Sequence, residues 1–165
     1  MFVWWMSVTL ELPARLLAKL REVSDARGAS LEEVILEAAC EYVKLSDPEV
    51  RAELHLALCE KYLREADELL SKGDHVQASV RAWGAAAQAV KAVASKRGVE
   101  LRSHGELWRF VSRLREETGD EELGRLWHVA NSLHVNFYEA WAPLELVEDA
   151  VSDVKRLVEK LKSLM

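Results

Sequence analysis

Near the beginning of the chain, apolar and polar residues alternate in the pattern of a β-strand. In residues 7–12 the apolar positions are Val8, Leu10 and Leu12, and a period of two places them on one face of an extended backbone. The opposite face would carry Ser7, Thr9 and Glu11. Residues 1–5 precede this pattern and are interpreted as an extension peripheral to the fold.

Two amphipathic helices are predicted directly after the strand. Pro13 suits the first turn of a helix, where its missing N–H is not needed, and an apolar stripe then continues until Gly28. That stripe consists of Leu16, Leu17, Leu20 and Val23. Ser30 followed by Glu33 has the spacing of a capping box and begins the second helix. Residues 1–46 are therefore expected to form a strand-helix-helix unit.

The rest of the chain, residues 47–165, has the 3.6-residue period of long helices. Asp47 and Pro48 favour a helix start, and that helix should run to about residue 70. Further helices are expected over residues 76–97, 103–117 and 121–141, and after Pro143. The last has a stripe formed by Leu144, Val147, Val151, Val154, Leu157 and Leu161. Long helices with short connections predict an all-α, antiparallel up-and-down bundle.

Composition supports a few long elements in a protein of the cytoplasm. The 165 residues include only seven Gly and three Pro, and no apolar run approaches the ~20 residues of a membrane span. We therefore expect no membrane partner. Gln and Asn are scarce while Glu, Lys and Arg are abundant, a bias that indicates a thermophilic source. Cys40 and Cys59 fall on apolar stretches and are interpreted as buried thiols, with a disulfide left open.

Charge is distributed unevenly along the chain. The net charge is -6, yet residues 81–115 carry eight basic and two acidic side chains and so a local charge of +6. Such a segment can form a surface for anionic ligands, or its charges can be paired on a solvent-exposed face. Arg97 and Arg102 are its candidate ligand-binding residues.

The beginning of the chain resembles the ribbon-helix-helix family of DNA-binding proteins, most specifically in Val8-Thr-Leu-Glu-Leu-Pro13. That resemblance implies a homodimer in which residues 7–12 pair with their copy, since a lone strand lacks hydrogen-bond partners. The alternative is an unpaired arm extended along its own bundle. Residues 1–46 carry five basic and seven acidic side chains, a net charge of -2, which opposes DNA binding. A DNA-binding transcriptional regulator is therefore a second alternative function.

Several short motifs in the bundle resemble the archaeal PaREP family, in its type-one branch. The most extended are Lys72-Gly-Asp-His-Val-Gln-Ala-Ser79 and Ser103-His-Gly-Glu-Leu-Trp108, and the resemblance covers roughly residues 60–138. This family in turn resembles the HEPN superfamily of helical bundles, which includes nucleotide-associated proteins and toxin ribonucleases. The resemblance implies a HEPN-like fold, a ligand that is a nucleotide or RNA, and a role in stress or mobile-element defence.

Active HEPN ribonucleases carry an Arg and a His a few residues apart on one helix, often followed by a Tyr. His134 and Tyr138 match in type, and Asn131 resembles the Asn beside the family's Arg. No Arg stands where the motif requires one, although Arg125 is on the same predicted helix, and Arg109 or Arg113 could approach from another. The resemblance makes His134, Tyr138 and Arg125 the catalytic candidates of a metal-independent ribonuclease.

Trp127, Asn131, His134 and Tyr138 lie on one face of their predicted helix, spaced four, three and four residues apart. Such a stripe is either a binding face with aromatic walls or a core-facing row of side chains. His104 matches the family's Ser-His loop, where it would join Asn131 and Trp127 in ligand binding or simply cap a helix. His55 and Cys59 share a helix face, but two ligands do not make a metal site. We expect no metal and no cofactor, and favour a non-catalytic role over the ribonuclease alternative.

Overall fold

The computed structural model describes residues 6–165, which form seven α-helices and no β-strand. None of these helices combines the length and apolar character needed to cross a membrane. The expected extension formed by residues 1–5 lies outside the described residues. The helices are α1 Ala14–Arg27, α2 Leu31–Tyr42, α3 Pro48–Ser71, α4 His75–Lys96, α5 His104–Thr118, α6 Glu121–Glu139 and α7 Leu144–Lys162.

The predicted helical bundle is confirmed, and α3 and α4 form an antiparallel hairpin within it. Side-chain pairs between these two helices run in opposite sequence directions, as an antiparallel pair requires. The pairs are Glu49 with Lys96, His55 with Gln88, and Glu65 with Arg81. Lys72, Gly73 and Asp74 connect the two helices, and the Asp74 carboxylate accepts a hydrogen bond from the backbone N–H of Gln77 at the start of α4.

Helix α4 is the centre of the core and packs against α3, α5, α6 and α7. Its alanines at positions 78, 82, 85, 86 and 92 have no exposed surface, because small side chains allow neighbouring helices to approach closely. At Gly84 the neighbouring helix approaches so closely that a Cβ would stand 3.1 Å from the Tyr62 ring. The predicted stripe of α7 is buried from Val147 to Leu161 and partly buried at Leu144, and Cys40 and Cys59 are buried free thiols.

The predicted strand over residues 7–12 is not present in the described chain. These residues are extended but have no ladder partner, because no other described segment offers a strand edge. Val8 is 80% exposed and Leu10 is 67% exposed. The arm borders a groove of about 640 Å³ that is also lined by Ile35, Leu36 and Arg64.

The predicted capping box of α2 forms only in part. The Ser30 hydroxyl accepts a hydrogen bond from the backbone N–H of Glu33 at 3.0 Å, as expected. The Glu33 side chain does not return to the cap; it pairs with Lys91 of α4. Helix α1 has little core of its own, since Leu16 and Val23 of its apolar stripe are exposed. The N-terminal unit is thus joined to the bundle chiefly through α2.

Candidate histidine site

His104 and His134, two of the predicted site residues, are in direct ring contact. His104 is the first residue of α5 and His134 lies on α6, with ring centroids 4.7 Å apart. Trp83 of α4 stacks on His104 with its plane tilted by only 3° and its centroid 5.4 Å away. Tyr138 meets His134 edge-on at 5.3 Å. These four residues, Trp83, His104, His134 and Tyr138, are called the histidine cluster below.

Local sequence places each member of the cluster. The Ser103 hydroxyl accepts a hydrogen bond from the backbone N–H of Glu106, and the Glu106 carboxylate accepts one from the backbone N–H of Ser103. This capping box begins α5 at His104 and directs its ring toward α4 and α6. His134 and Tyr138 are four residues apart on α6, so their side chains lie on one helix face.

Burial sets the protonation of both imidazoles. It lowers the pKa of His104, and the nearby Lys91 cation lowers it further. Burial likewise lowers the pKa of His134, with a second contribution from His104. Both rings are therefore neutral near pH 7, so each offers one hydrogen-bond donor and one acceptor. His134 Nδ1 is buried and has no hydrogen-bond partner in the described part of the chain.

The turn between α1 and α2 covers the cluster. Gly28 has φ 59°, and a Cβ at this position would stand only 1.7 Å from Nε2 of His104. Glycine is required here for two reasons. The backbone adopts a left-handed conformation that other residues avoid, and the His104 imidazole leaves no room for a side chain. The sequence predicted Gly28 only as the end of a helix, because nothing local indicates which ring lies above it.

The predicted aromatic stripe on α6 runs from the core to the surface. Trp127 has no exposed surface and packs against Trp83 and Trp108, with centroids 5.2 and 5.9 Å away. Asn131 is half-buried. Tyr138, at the other end, is 65% exposed. Of these stripe residues, only His134 and Tyr138 belong to the histidine cluster.

The predicted arginines do not join the cluster. Arg125 is nine residues before His134, about two and a half turns, and so lies on the opposite side of α6. Arg97 pairs with Glu117 at 2.6 Å. Arg102 pairs with Glu100 at 2.7 Å and with Glu41 at 3.2 Å. The charges of Arg97 and Arg102 are thus compensated within the chain.

Pairing extends through most of the basic segment of residues 81–115. Six of its eight cations have a carboxylate partner, whereas Arg109 and Arg113 have no ion pair among the described residues. Arg109 folds back along α5 so that its Nη1 would be 3.4 Å from a Cβ on Gly105.

The residues considered as metal ligands serve the core. His55 Nδ1 is 2.7 Å from Oε1 of Gln88, and burial raises the pKa of the Cys59 thiol to about 12. The described residues contain no group of three or more His, Cys, Asp or Glu side chains placed to hold a metal ion.

Sequence reasoning missed Asn136, which lies in the last turn of α6. Its amide Nδ2 donates to the Ser79 hydroxyl at 2.9 Å, and its Oδ1 accepts from the backbone N–H of Ala142 at 2.8 Å. Ala140 between them adopts φ 48°. An asparagine next to the predicted end of a helix was the available signal.

Comparisons with known proteins place the cluster in context. Residues 54–158 match the family model described as the archaeal PaREP1/PaREP8 family, and this span contains all four cluster residues. Gly28 and α2 lie outside it. The fold is similar to a crystal structure of a protein from Sulfolobus solfataricus, with 31% sequence identity and a TM-score of 0.58. That similarity covers 65% of this chain and 95% of the other. No curated protein matches.

Proposed function

The chain belongs to the archaeal PaREP1/PaREP8 family, and from that premise we propose that it is a HEPN-like helical dimer that binds a nucleotide or RNA at the histidine cluster without cleaving it. One observation carries the ligand site: two neutral imidazoles in contact, packed on Trp83 and bordered by the exposed Tyr138. By analogy with HEPN-like bundles, the setting is a stress or mobile-element defence system.

The chemistry of the cluster suits a nucleotide. Tyr138 offers an exposed aromatic face on which a base can stack. The imidazoles supply both donors and acceptors for polar groups of the ligand. Arg109 of α5 has no ion pair within 4 Å among the described residues, and a guanidinium is a strong hydrogen-bond donor to phosphate oxygens.

Tryptophan fluorescence tests this proposal directly, because Trp83 and Trp127 are in ring contact with each other and Trp83 contacts both histidines. Titration with nucleoside mono-, di- and triphosphates and with short RNA should change the emission. The His134→Ala variant should lose the response, whereas His75→Ala, at a histidine outside the cluster, should keep it. A titration that leaves the emission and melting temperature of the unmodified protein unchanged for every ligand would refute the proposal.

A ribonuclease is the second candidate, favoured by the contact between two imidazoles. One neutral imidazole can take the proton of the RNA 2'-hydroxyl as its oxygen attacks phosphorus. The other must first take up a proton, at a pH below its lowered pKa, and then gives it to the 5'-oxygen as the P–O5' bond breaks, which leaves a cyclic phosphate. Arg109 would stabilise the charge on phosphorus in place of the Arg absent from the HEPN motif.

Cleavage assays separate the two candidates. Labelled RNA is incubated with the unmodified protein, His104→Ala, His134→Ala and the control His75→Ala. Loss of cleavage in both cluster variants alone would establish the ribonuclease. Binding without cleavage by the unmodified protein would leave the non-catalytic function in place.

Dimerisation through residues 7–12 is supported by the exposed apolar arm. Val8 and Leu10 would be covered if two arms paired antiparallel across a two-fold axis, and the backbone groups would gain partners. Ser7, Thr9 and Glu11 on the other face carry no cation, so nothing in the arm favours the regulator alternative.

Light scattering at micromolar concentration should give the mass of two subunits. Leu10→Lys should halve it, because a charge would enter the shared apolar layer. Leu146→Lys places the same charge at another half-exposed leucine, on α7, and should leave the dimer intact. A one-subunit mass for the unmodified protein would exclude the dimer.

A further inference from the structure

Helix α2 turns a row of carboxylates toward the bundle. The row consists of Glu33, Glu37 and Glu41, which are spaced four residues apart and lie along one side of the helix, together with Glu32 on the flank beside Glu33. Glu33 is only 3% exposed. Burying a carboxylate is costly unless a cation meets it, so the surface below α2 must be basic.

Each carboxylate of this row meets a cation. Lys61 Nζ is 2.5 Å from Oε1 of Glu32. The buried Lys91 pairs with Glu33 and is 3.9 Å from Glu37, whose closer partner is Arg27 of α1 at 2.5 Å. Arg102 Nη2 is 3.2 Å from Oε1 of Glu41. The bundle residues Lys61, Lys91 and Arg102, which belong to α3, α4 and the segment before α5, are called the covered basic face below.

The covered basic face adjoins the histidine cluster. Lys91 is close enough to His104 to lower the pKa of that imidazole, and Arg102 is two residues before it. The turn that leads into α2 presses Gly28 against Nε2 of His104. Helix α2 thus pairs with the cations of the covered basic face, and the turn before it covers Nε2 of His104.

We propose that α2 is an internal mimic of a polyanion, and that the covered basic face together with the histidine cluster is the binding surface for single-stranded RNA. The phosphates of the RNA replace the α2 carboxylates on Lys61, Lys91 and Arg102. Binding requires α2 to leave, which also frees Nε2 of His104. This inference rests on the proposed function and identifies the surface and the regulation of its ligand site.

Two observations support displacement over a purely structural role. The family match begins at residue 54, so α2 lies outside the part of the chain that resembles its relatives. The ion pairs of Lys61 and Arg102 are partly exposed, and such pairs hold a helix only weakly. A ligand with many phosphates can compete for them, and it gains from the release of its counterions.

The test compares three full-length proteins in their affinity for a short fluorescein-labelled single-stranded RNA. The first is unmodified. The second carries Glu32→Gln, Glu37→Gln and Glu41→Gln, which weaken the row but leave the buried Glu33 with Lys91. The third carries Glu116→Gln, Glu148→Gln and Glu159→Gln at exposed sites with no ion pair among the described residues. Both variants raise the net charge from -6 to -3, so a nonspecific charge effect is matched.

The α2 variant should bind about tenfold more tightly than both other proteins, because the partly exposed pairs of Glu32 with Lys61 and of Glu41 with Arg102 no longer compete with the RNA. Adding Arg102→Gln to it should reverse most of the gain. Circular dichroism and melting temperature establish that each variant is folded. If the triple variant unfolds, Glu41→Gln alone, whose carboxylate is mostly exposed, should give a smaller gain in the same direction.

The remaining outcomes overturn the inference. Equal tightening in the α2 variant and its charge-matched control would mean that net charge alone acts. RNA binding by the unmodified protein with no gain in the α2 variant would reject the mimic and leave the proposed function standing. No binding by any of the three proteins would reject both.

Discussion

The N-terminal unit and the bundle distribute apolar and charged residues in opposite ways. In the bundle, Val154 and Leu157 are fully buried and most ion pairs lie on the surface. In the N-terminal unit Leu10 is 67% exposed and Tyr42 90% exposed, while Glu33 is buried against Lys91. The bundle is held by its apolar core, whereas the unit adds a set of ion pairs to a few apolar contacts, such as those of the buried Val34.

This difference explains how one chain can contain a stable part and a displaceable part. Apolar burial stabilises a fold without regard to the partner's identity. Ion pairs at an interface can be exchanged for other charged partners and weaken with salt and pH. The outward apolar surface of the unit remains available for a second copy of the arm.

The buried pair between the two regions should give the largest effect. Lys91→Met removes the cation and leaves the Glu33 carboxylate unpaired, so urea denaturation should show a loss of about 3–5 kcal/mol in the free energy of unfolding. Adding Glu33→Leu should recover most of it, since no charge is then buried. A single-variant loss below about 1 kcal/mol would show that α2 is not docked on Lys91.

A leucine-to-alanine substitution in the bundle and one in the N-terminal unit should give the next largest difference in the free energy of unfolding. Leu157→Ala opens a cavity in the bundle core and should cost about 2–5 kcal/mol. Leu16→Ala, at a leucine of α1 that is 48% exposed, should cost less than about 1 kcal/mol in dilute solution. The Leu16→Ala loss should grow with protein concentration if a second copy covers α1. Equal losses for the two variants in dilute solution would contradict the contrast.

Gly28→Ala should break the contact between the turn before α2 and the His104 ring of the histidine cluster. Its positive φ makes any side chain unfavourable by about 1–2 kcal/mol, and the added Cβ would also displace His104 or the turn. Gly73→Ala has the same type of strain with nothing within 4 Å and serves as the control. NMR titration should show the pKa of His104 rising toward its ordinary value only in Gly28→Ala, because uncovering removes the burial that lowers it.

Acidification should give the smallest and most gradual loss in the free energy of unfolding. Burial lowers the pKa of His55, and its hydrogen bond to Gln88 offsets this only in part. The unfolded chain takes up a proton at the ordinary pKa of 6.5 while the folded chain resists, so stability falls as the pH drops below 6.5. Urea denaturation between pH 7 and 5 should show a shallower fall for His55→Gln than for the control His75→Gln. An equal fall of the free energy of unfolding with pH in the two variants would show that His55 does not cause this loss.

Helices were predictable because their signals are local. The stripe of α7 and the caps at Asp47 and Ser103 could all be read within a few residues, and each is observed. The predicted end of α6 near residue 141 was two residues late. Ala140 adopts a left-handed conformation there, stabilised by Asn136 bonds to residues distant along the chain and across the turn.

Three of the four cluster residues, His104, His134 and Tyr138, were predicted from the sequence, whereas Trp83 was not. His104 and His134 were both candidates, but their contact depends on how α5 packs against α6, and no spacing along the chain indicates this. The partner of the Glu33 side chain likewise could not be predicted from nearby residues. Its position three residues after Ser30 predicted a local cap, whereas its partner Lys91 is 58 residues away.

Hydrogen–deuterium exchange with and without a saturating short RNA tests most directly whether the N-terminal unit is a displaceable cover. If α2 leaves the covered basic face, amides of Leu31–Tyr42 should exchange faster when RNA is bound, while those of His104–Thr118 exchange more slowly. Slower or unchanged exchange in Leu31–Tyr42 upon RNA addition would contradict the displacement of α2.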